Sequence, residues 1–390
     1  MSTKSPAPPR EGAHPLPAGM RDLLPEETRE RRTLAARVLA ELELFGYDLV
    51  LLPAFEFAEV LERGLGALDP SEVLRFVEPE SGEVAALRPD MTPQIARMIA
   101  TRLGSRPPPF RLAYEGTVLR RLSGRARKRR QIPQVGVELV GEPTQAASGS
   151  ASRAHDVEVL EIAASVFRAV GLDEFVIDLG DAGVVRSLLD GVAPDAAAVI
   201  ADAIGRKDEL EVGDRMRDAG GDPAILLELL RARSIDDGVA LLAKTPAAPA
   251  AARLRALHAE AVSRGLGDHV TADLGEIRSA AYYTGMLFRA YARGSADAIG
   301  SGGRYDDLLA CFGAPMPAVG FGIDLDALAV AVRAASHEGA PRRRVLVVGD
   351  EAEARRLRES GVAAAFRRES DGAAEYASAW GFTEVIERKP

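Results

Sequence analysis

Between residues 182 and 264 the chain is rich in Ala, Leu, Arg and Asp and carries almost no strand pattern, whereas strand patterns stand on both sides of this block. A helical block framed by strands implies that the polypeptide leaves a sheet-based core, folds a helical subdomain and returns. Before the block the spacing predicts a helix opening at Pro25, with Glu26 and Glu27 in its first turn, Leu34, Val38, Leu42 and Phe45 at helical spacing, and Gly46 as its stop. Residues 47–53 form a short apolar run ending in proline, which reads as a buried strand. Further strands are predicted over 73–78, 84–88, 110–121, 131–141 and 174–180, with helices over 93–103 and 155–170. After the block come strands over 269–274, 281–292 and 318–323, with a Gly-rich turn at 300–303 and a helix from about Tyr305 between the last two. Adjacent strands joined by short turns favour an α+β fold with an antiparallel or mixed sheet. Residues 345–360 read as strand, turn and helix, opening a small αβ tail. The expected organisation is a loose arm over 1–16, a first core part over 17–181, the helical insertion over 182–264, a second core part over 265–338 and the tail over 339–390.

Composition narrows the function. A chain of 390 residues is long enough for two or three folded regions, and its net charge of −9 counts against a protein whose main task is to hold a polyanion. Cys311 is the single cysteine, so no internal disulfide or thiolate metal cluster is available, and a cytoplasmic location is expected. The five histidines are far apart and make no HExxH-like spacing, so neither a metal nor a cofactor is expected. No apolar run approaches the ~20 residues that span a bilayer, and the polar, proline-rich N-terminus has no signal-peptide core. Neither the phosphate-loop pattern GxxxxGK[ST] nor the nucleophile elbow GxSxG occurs.

Four segments carry the chemistry: LRPDMTP at 87–93, YEGTVLR at 114–120, QVGVE at 134–138 and IRSAAYYT at 277–284. Each sets charged or hydroxyl side chains in an apolar strand context, where an unpaired charge is costly. The period of two places Gln134 and Glu138 on one side of a sheet, so cationic, amide and carboxylate groups could converge on a small zwitterion. The same pattern also fits a solvated sheet face or internal ion pairs.

These segments, together with GGRYD at 302–306 and PAVGFGIDL at 317–325, resemble the catalytic core of a class II aminoacyl-tRNA synthetase in its histidyl form, from Pro17 to about Val332. The strand ending at Pro53 resembles the first class II motif, which builds that family's dimer interface, so self-association there is implied. Residues 114–141 resemble the second motif and 302–328 the third. The resemblance implies a histidine pocket. Asp90 stands where the family has a glutamate for the α-ammonium; Thr92 and Gln134 match its helpers. Arg120 matches the arginine that meets the α-carboxylate, a strong charge-assisted contact. Glu138 and Tyr283 match the groups that hold the two imidazole nitrogens, and Tyr282 and Arg278 match the histidine-specific motif, although the aspartate usual before the tyrosines is Ala281 here.

The nucleotide half departs from the family. Its third-motif arginine, which clamps phosphates, falls on Ala327; Leu122, Ser123 and Gly124 replace the usual Glu-Arg-Pro; Ile132 replaces the aromatic that stacks on the base. Adenylate formation is mainly electrostatic positioning of phosphates, so loss of the clamp implies a chain that does not activate amino acids. The basic run RARKRR at 125–130 reads as a solvated loop, a remnant of the synthetase loop, or a docking patch for an acidic partner or nucleotide. The tail is about half the length of the family's anticodon-binding domain, which makes transfer RNA an unexpected ligand. A histidine pocket without an ATP clamp resembles the regulatory subunits of ATP phosphoribosyltransferase. That resemblance implies L-histidine as ligand, a short-form catalytic subunit as partner in a hetero-oligomer, and a non-catalytic role in the first step of histidine biosynthesis and its feedback control. The rival reading is a histidyl-tRNA synthetase-like enzyme that activates histidine with ATP.

Overall fold

A computed structural model describes residues 16–65, 73–121, 129–141, 149–276, 283–335 and 343–387. The chain forms two compact units, 1–335 and 336–390.

In the first unit, α1 (Pro25–Leu44) starts with proline at its first position and buries Leu34, Val38 and Leu42 along one face. Gly46, at φ +78°, adopts the left-handed turn that ends it, with its N–H on the Glu43 carbonyl. Next come β1 (Asp48–Val50), β2 (Phe55–Phe57), α2 (Ala58–Leu65), β3 (Arg75–Val77), β4 (Val84–Leu87) and α3 (Thr92–Met98), which continues as a π-turn over Ile99–Leu103. The long hairpin β5 (Phe110–Leu119) and β6 (Gln131–Val140) follows, then α4 (Gly149–Ala169) and β7 (Phe175–Asp181). Helices α5 (Ala182–Leu188), α6 (Pro194–Gly205), α7 (Glu209–Asp218), α8 (Ala224–Arg231), α9 (Ile235–Leu242) and α10 (Ala248–Ala261) separate β7 from β8 (Val270–Ala272). β9 (Met286–Ala292), β10 (Gly300–Arg304), β11 (Ala318–Asp324) and α11 (Leu325–Ala335) complete the unit.

Eight strands form one sheet in the order β1-β5-β6-β11-β10-β9-β7-β8, antiparallel through its middle and parallel at both ends. The alternation of the strands splits their side chains between two cores. Val135, Val137 and Leu139 of β6 join Leu34, Val38 and Leu42 of α1 and Leu160 and Phe167 of α4 on one face. Leu112, Tyr114 and Val118 of β5 point to the other, where Met91, Ile95 and Ile99 cover one end of the sheet. The remainder of that second face is the floor of the candidate site.

Three local expectations are corrected. The run 47–53 is not a buried strand: β1 is an edge strand paired to β5 alone, and Leu49 and Leu51 are 51% and 80% exposed. The glycines 300–303 do not form a turn but strand β10 inside the sheet. A Cβ on Gly302 would lie 2.3 Å from the Gly320 carbonyl oxygen, and one on Gly303 would lie 2.6 Å from the Tyr283 ring, so these glycines permit close approach. No long helix starts at Tyr305. Asp306 Oδ1 accepts the Ala318 N–H at 3.2 Å, tying the chain to β11, and only a 3-10 turn forms over Leu309–Phe312. The strand expected over 281–292 is described from Met286 onward, and residues 281–282 lie outside the described residues.

The second unit is a parallel three-stranded sheet in the order β13-β12-β14, built from β12 (Arg344–Val348), α12 (Glu351–Glu359), β13 (Ala363–Arg367), α13 (Ala373–Ala379) and β14 (Glu384–Glu387). Leu346 and Val348 pack with Ala373 and Ala377 on one face, Val345 and Val347 with Ala354 on the other. No helix among the described residues is long and apolar enough to cross a membrane.

Candidate functional site

Glu138 is the centre of the site. It lies on β6 opposite Leu112 of β5 and Gly320 of β11, and only 1% of it is exposed. Gly320 is required there: a Cβ would sit on the Glu138 carboxylate itself. Thr92, at the start of α3, donates its hydroxyl to Glu138 Oε1 at 2.6 Å, and the Tyr305 hydroxyl donates to Oε2. Burial pushes the Glu138 carboxyl up to about 8, against the downward pull of the Thr92 and Tyr305 hydrogen bonds, and nearby Asp90 adds to the rise.

The other expected residues gather around it in part. Asp90 Oδ1 accepts the Thr92 N–H at 3.1 Å, fixing the turn into α3. Arg120, just beyond β5, donates Nε to the Pro89 carbonyl at 2.8 Å, which ties it to the Asp90 turn and leaves its terminal nitrogens for other partners. Tyr283 is buried over Gly303. Tyr114 is the hub: burial raises its hydroxyl well above the ordinary range, and it feels the charges of Glu138, Asp90, Tyr283 and Arg120 at once. Gln134 shares the face of Glu138 but stands four residues along β6, about 14 Å of extended strand away, opposite Gly116 and Asp324. Arg278 and Tyr282 lie outside the described residues.

Sequence reasoning assigned no role to Tyr305 or Tyr114. Both lie in motifs already singled out, and the signal was in the glycines: Gly136 beside Tyr114, Gly303 and Gly320 are places where a large polar side chain crosses a neighbouring strand. Arg304, immediately before Tyr305, is buried and reaches Asp156 of α4 at 2.7 Å, anchoring the end of β10. Burial raises the Asp156 carboxyl to about 6, despite the opposing pull of Arg304.

The far end of the same strands is built differently. Ala327, at the start of α11, is buried and donates its N–H to Asp324 Oδ1 at 3.1 Å. Arg129 pairs with Asp324 at 3.0 Å and Asp326 at 3.3 Å, and Arg21 also reaches Asp326 at 3.1 Å. A cavity of about 490 Å³ beside them is lined by Arg21, Arg31, Arg129, Asp326, Ala327 and Arg333. Of the basic run, Arg129 and Arg130 are described and residues 125–128, like Leu122, Ser123 and Gly124, are not. Ile132 is half-buried opposite Val118. Carboxylate oxygens of Asp178, Asp273 and Glu276 also lie within 4.8 Å of one another, the spacing of a cation site, but Lys207 pairs with Asp273 and Arg289 with Glu276, so the group is compensated by protein charges.

The histidyl-tRNA synthetase family profile matches residues 19–328. An ATP phosphoribosyltransferase regulatory subunit of Anaeromyxobacter sp. (strain Fw109-5) is 42% identical over 329 residues, 80% of this chain and 91% of that protein. The protein of the same name from Moorella thermoacetica is 37% identical, with 81% of each chain covered. Among solved structures, an ATP phosphoribosyltransferase regulatory subunit/histidyl-tRNA synthetase from Bacillus halodurans superposes with a TM-score of 0.81 at 27% identity, covering 98% of this chain and 99% of that one. A histidyl-tRNA synthetase from Nostoc sp. PCC 7120, at 22% identity and a TM-score of 0.76, shares the fold. With a synthetase-like core in both sequence and architecture, and close relatives of one kind over most of its length, the chain belongs to the family of ATP phosphoribosyltransferase regulatory subunits.

Proposed function

We propose that this chain is the non-catalytic, histidine-sensing subunit of an ATP phosphoribosyltransferase, acting with a short catalytic chain at the first step of histidine biosynthesis and relaying feedback by histidine. The observation that carries the reading is the buried Glu138 carboxyl, held by two hydroxyls and by no basic side chain among the described residues. Such a group is costly to keep without a partner, and a ring N–H supplies one. In this reading Asp90 receives the α-ammonium, Arg120 the α-carboxylate, and Glu138 and Tyr283 the ring, with Thr92 and Gln134 supporting; Arg278 and Tyr282 join them by resemblance.

The non-catalytic role is supported by Ala327, which offers no charge to nucleotide phosphates, and by Asp324 and Asp326 beside it, which already occupy Arg129 and Arg21. The names of the relatives imply the catalytic partner. Self-association through the β1 edge of the sheet is supported by the exposed apolar side chains of Leu49 and Leu51, and by those of Phe55 and Phe57 on β2, which follows β1 in the chain. A net charge of −9 opposes transfer RNA as a main ligand, and the single Cys311 accords with the cytoplasm.

Capture of the tagged chain from its source cells tests the partnership. A short ATP phosphoribosyltransferase should accompany it, and the reconstituted complex should lose activity as histidine is added. Histidine inhibition that persists unchanged when Glu138→Ala has weakened histidine binding to this chain would place the sensor on the catalytic subunit.

A further inference from the structure

We infer that Tyr305 is a specificity-determining residue of the histidine pocket: with Thr92 it cages Glu138 so that the carboxyl hands its proton to the ligand's imidazole on binding, and histidine is held as the imidazolium. This inference rests on the histidine-pocket reading and adds the charge state that the pocket selects.

Four described segments pack around Glu138. From β5 comes Tyr114, from the α3 turn Thr92 and Asp90, from the end of β10 Tyr305, and over Gly303 lies Tyr283. Among the described residues no arginine contacts Glu138: Arg120 turns its Nε to the Pro89 carbonyl, Arg88 donates to those of Thr117 and Leu52, and Arg304 pairs with Asp156 and Asp306. Among the described residues Glu138 therefore faces hydroxyls and a second carboxylate. A lysine or arginine in contact would fix it as an anion in all states. A hydroxyl favours the anion less strongly than a cation would, and it can also accept from the neutral acid. With no cation in contact among the described residues, burial prevails and favours the neutral acid, pushing the carboxyl up to about 8.

Imidazole titrates near 6.5, so between that value and about 8 free histidine carries a neutral ring and Glu138 carries a proton. Transfer breaks the carboxyl O–H bond and forms a ring N–H bond, with no proton taken from or lost to water. The product is an imidazolium against a carboxylate that now accepts from Thr92, from Tyr305 and from the ring. Charge-assisted bonds of this kind are stronger than neutral ones, so the gain is confined to ligands whose ring is basic enough to take the proton.

Calorimetric titration of the full chain from pH 5.5 to 8.5, in buffers of different ionisation heat, reads both affinity and protons exchanged. The probes are L-histidine and the alanine derivative carrying 1,2,4-triazole, a ring of similar shape and much lower basicity. For histidine, no net proton exchange is expected near pH 7, with release of one proton per ligand toward pH 5.5 and uptake setting in toward pH 8.5. Tyr305→Phe should weaken histidine by roughly 10- to 100-fold, the effect of one hydrogen bond to a charged group, while changing the triazole compound far less, and should move the alkaline limb upward. Equal weakening of both ligands with an unmoved limb would reduce Tyr305 to a packing role and overturn the inference. Full proton release at pH 7 would overturn it as well, leaving the pocket itself intact. Absence of any histidine heat at every pH would remove the pocket reading, and this inference with it.

Discussion

The two ends of β6 and β11 handle charge in opposite ways. At one end Glu138 faces Gly320, buried among hydroxyls, with its proton still bound near neutral pH. Four residues along, Gln134 faces Asp324, and there Arg129, Arg21, Asp324 and Asp326 neutralise one another. The same sheet, about 14 Å apart, thus carries one corner whose buried carboxyl has no basic partner among the described residues and one corner whose charges complete themselves. In a fold shared with histidyl-tRNA synthetases, the proposed function assigns the first corner to the amino acid and expects the second to leave the nucleotide alone.

The contrast breaks most decisively on activity. If the self-neutralised corner no longer receives phosphates, histidine-dependent exchange of pyrophosphate into ATP should be lower than synthetase rates by several orders of magnitude. Exchange at a synthetase-like rate from pure protein would mean that other residues replace the clamp at Ala327, and the regulatory reading would fail.

Stability against pH sharpens the contrast next. Glu138 ionises near 4.5 when unfolded and near 8 in the fold. The native state therefore holds more protons between those values, and stability falls as pH rises through that window. Glu138→Gln, which keeps the shape and cannot ionise, should remove this dependence. The wild type should lose up to about 3 kcal/mol relative to the variant between pH 5 and pH 8. Parallel denaturation curves for the two proteins at both pH values would show that Glu138 is already ionised in the empty pocket. Glu138→Ala should then cost histidine affinity about 1–3 kcal/mol, the penalty for leaving a ring nitrogen unpaired, and in the assembled enzyme the histidine needed for half-inhibition should rise in proportion.

How much of this was legible depends on whether the information is local. The helix over Pro25–Leu44 and its stop at Gly46 follow from spacing and one backbone preference, and both are in the structure. The α+β class, with a largely antiparallel sheet and a block of helices between β7 and β8, was equally readable, because period and composition change together there. Gly300–Arg304 was not readable as a strand, since glycine's usual meaning is a turn and only the neighbouring strands reveal that space was the requirement. Exposure of β1 was hidden for a related reason: an apolar run looks the same whether it faces a core or an open edge. In the site, the strand period put Gln134 and Glu138 on one face, and the motif resemblance pointed to Thr92. The partnership of Tyr305 with Glu138 spans 167 residues of sequence and needs the pairing of three strands to be seen.

The smallest effect tests whether the two corners are independent. Arg129 is about one-third exposed and its partners Asp324 and Asp326 are less so, so solvent screens part of the interaction, and removing it in Arg129→Ala should cost about 1 kcal/mol of stability or less. Asp324 gains a further consequence: burial raises its carboxyl and Arg129 opposes that rise, so the variant should make Asp324 easier to protonate. None of this reaches Glu138 if the sheet between them is rigid. Histidine affinity of Arg129→Ala should therefore equal that of the wild type, and the double variant with Glu138→Ala should show stability changes that add within about 0.5 kcal/mol, as expected for sites more than 10 Å apart without shared partners. A coupling energy clearly larger than that, or a histidine affinity that moves with Arg129 alone, would make the neutralised corner a part of the sensor, with β6 and β11 carrying the signal between them.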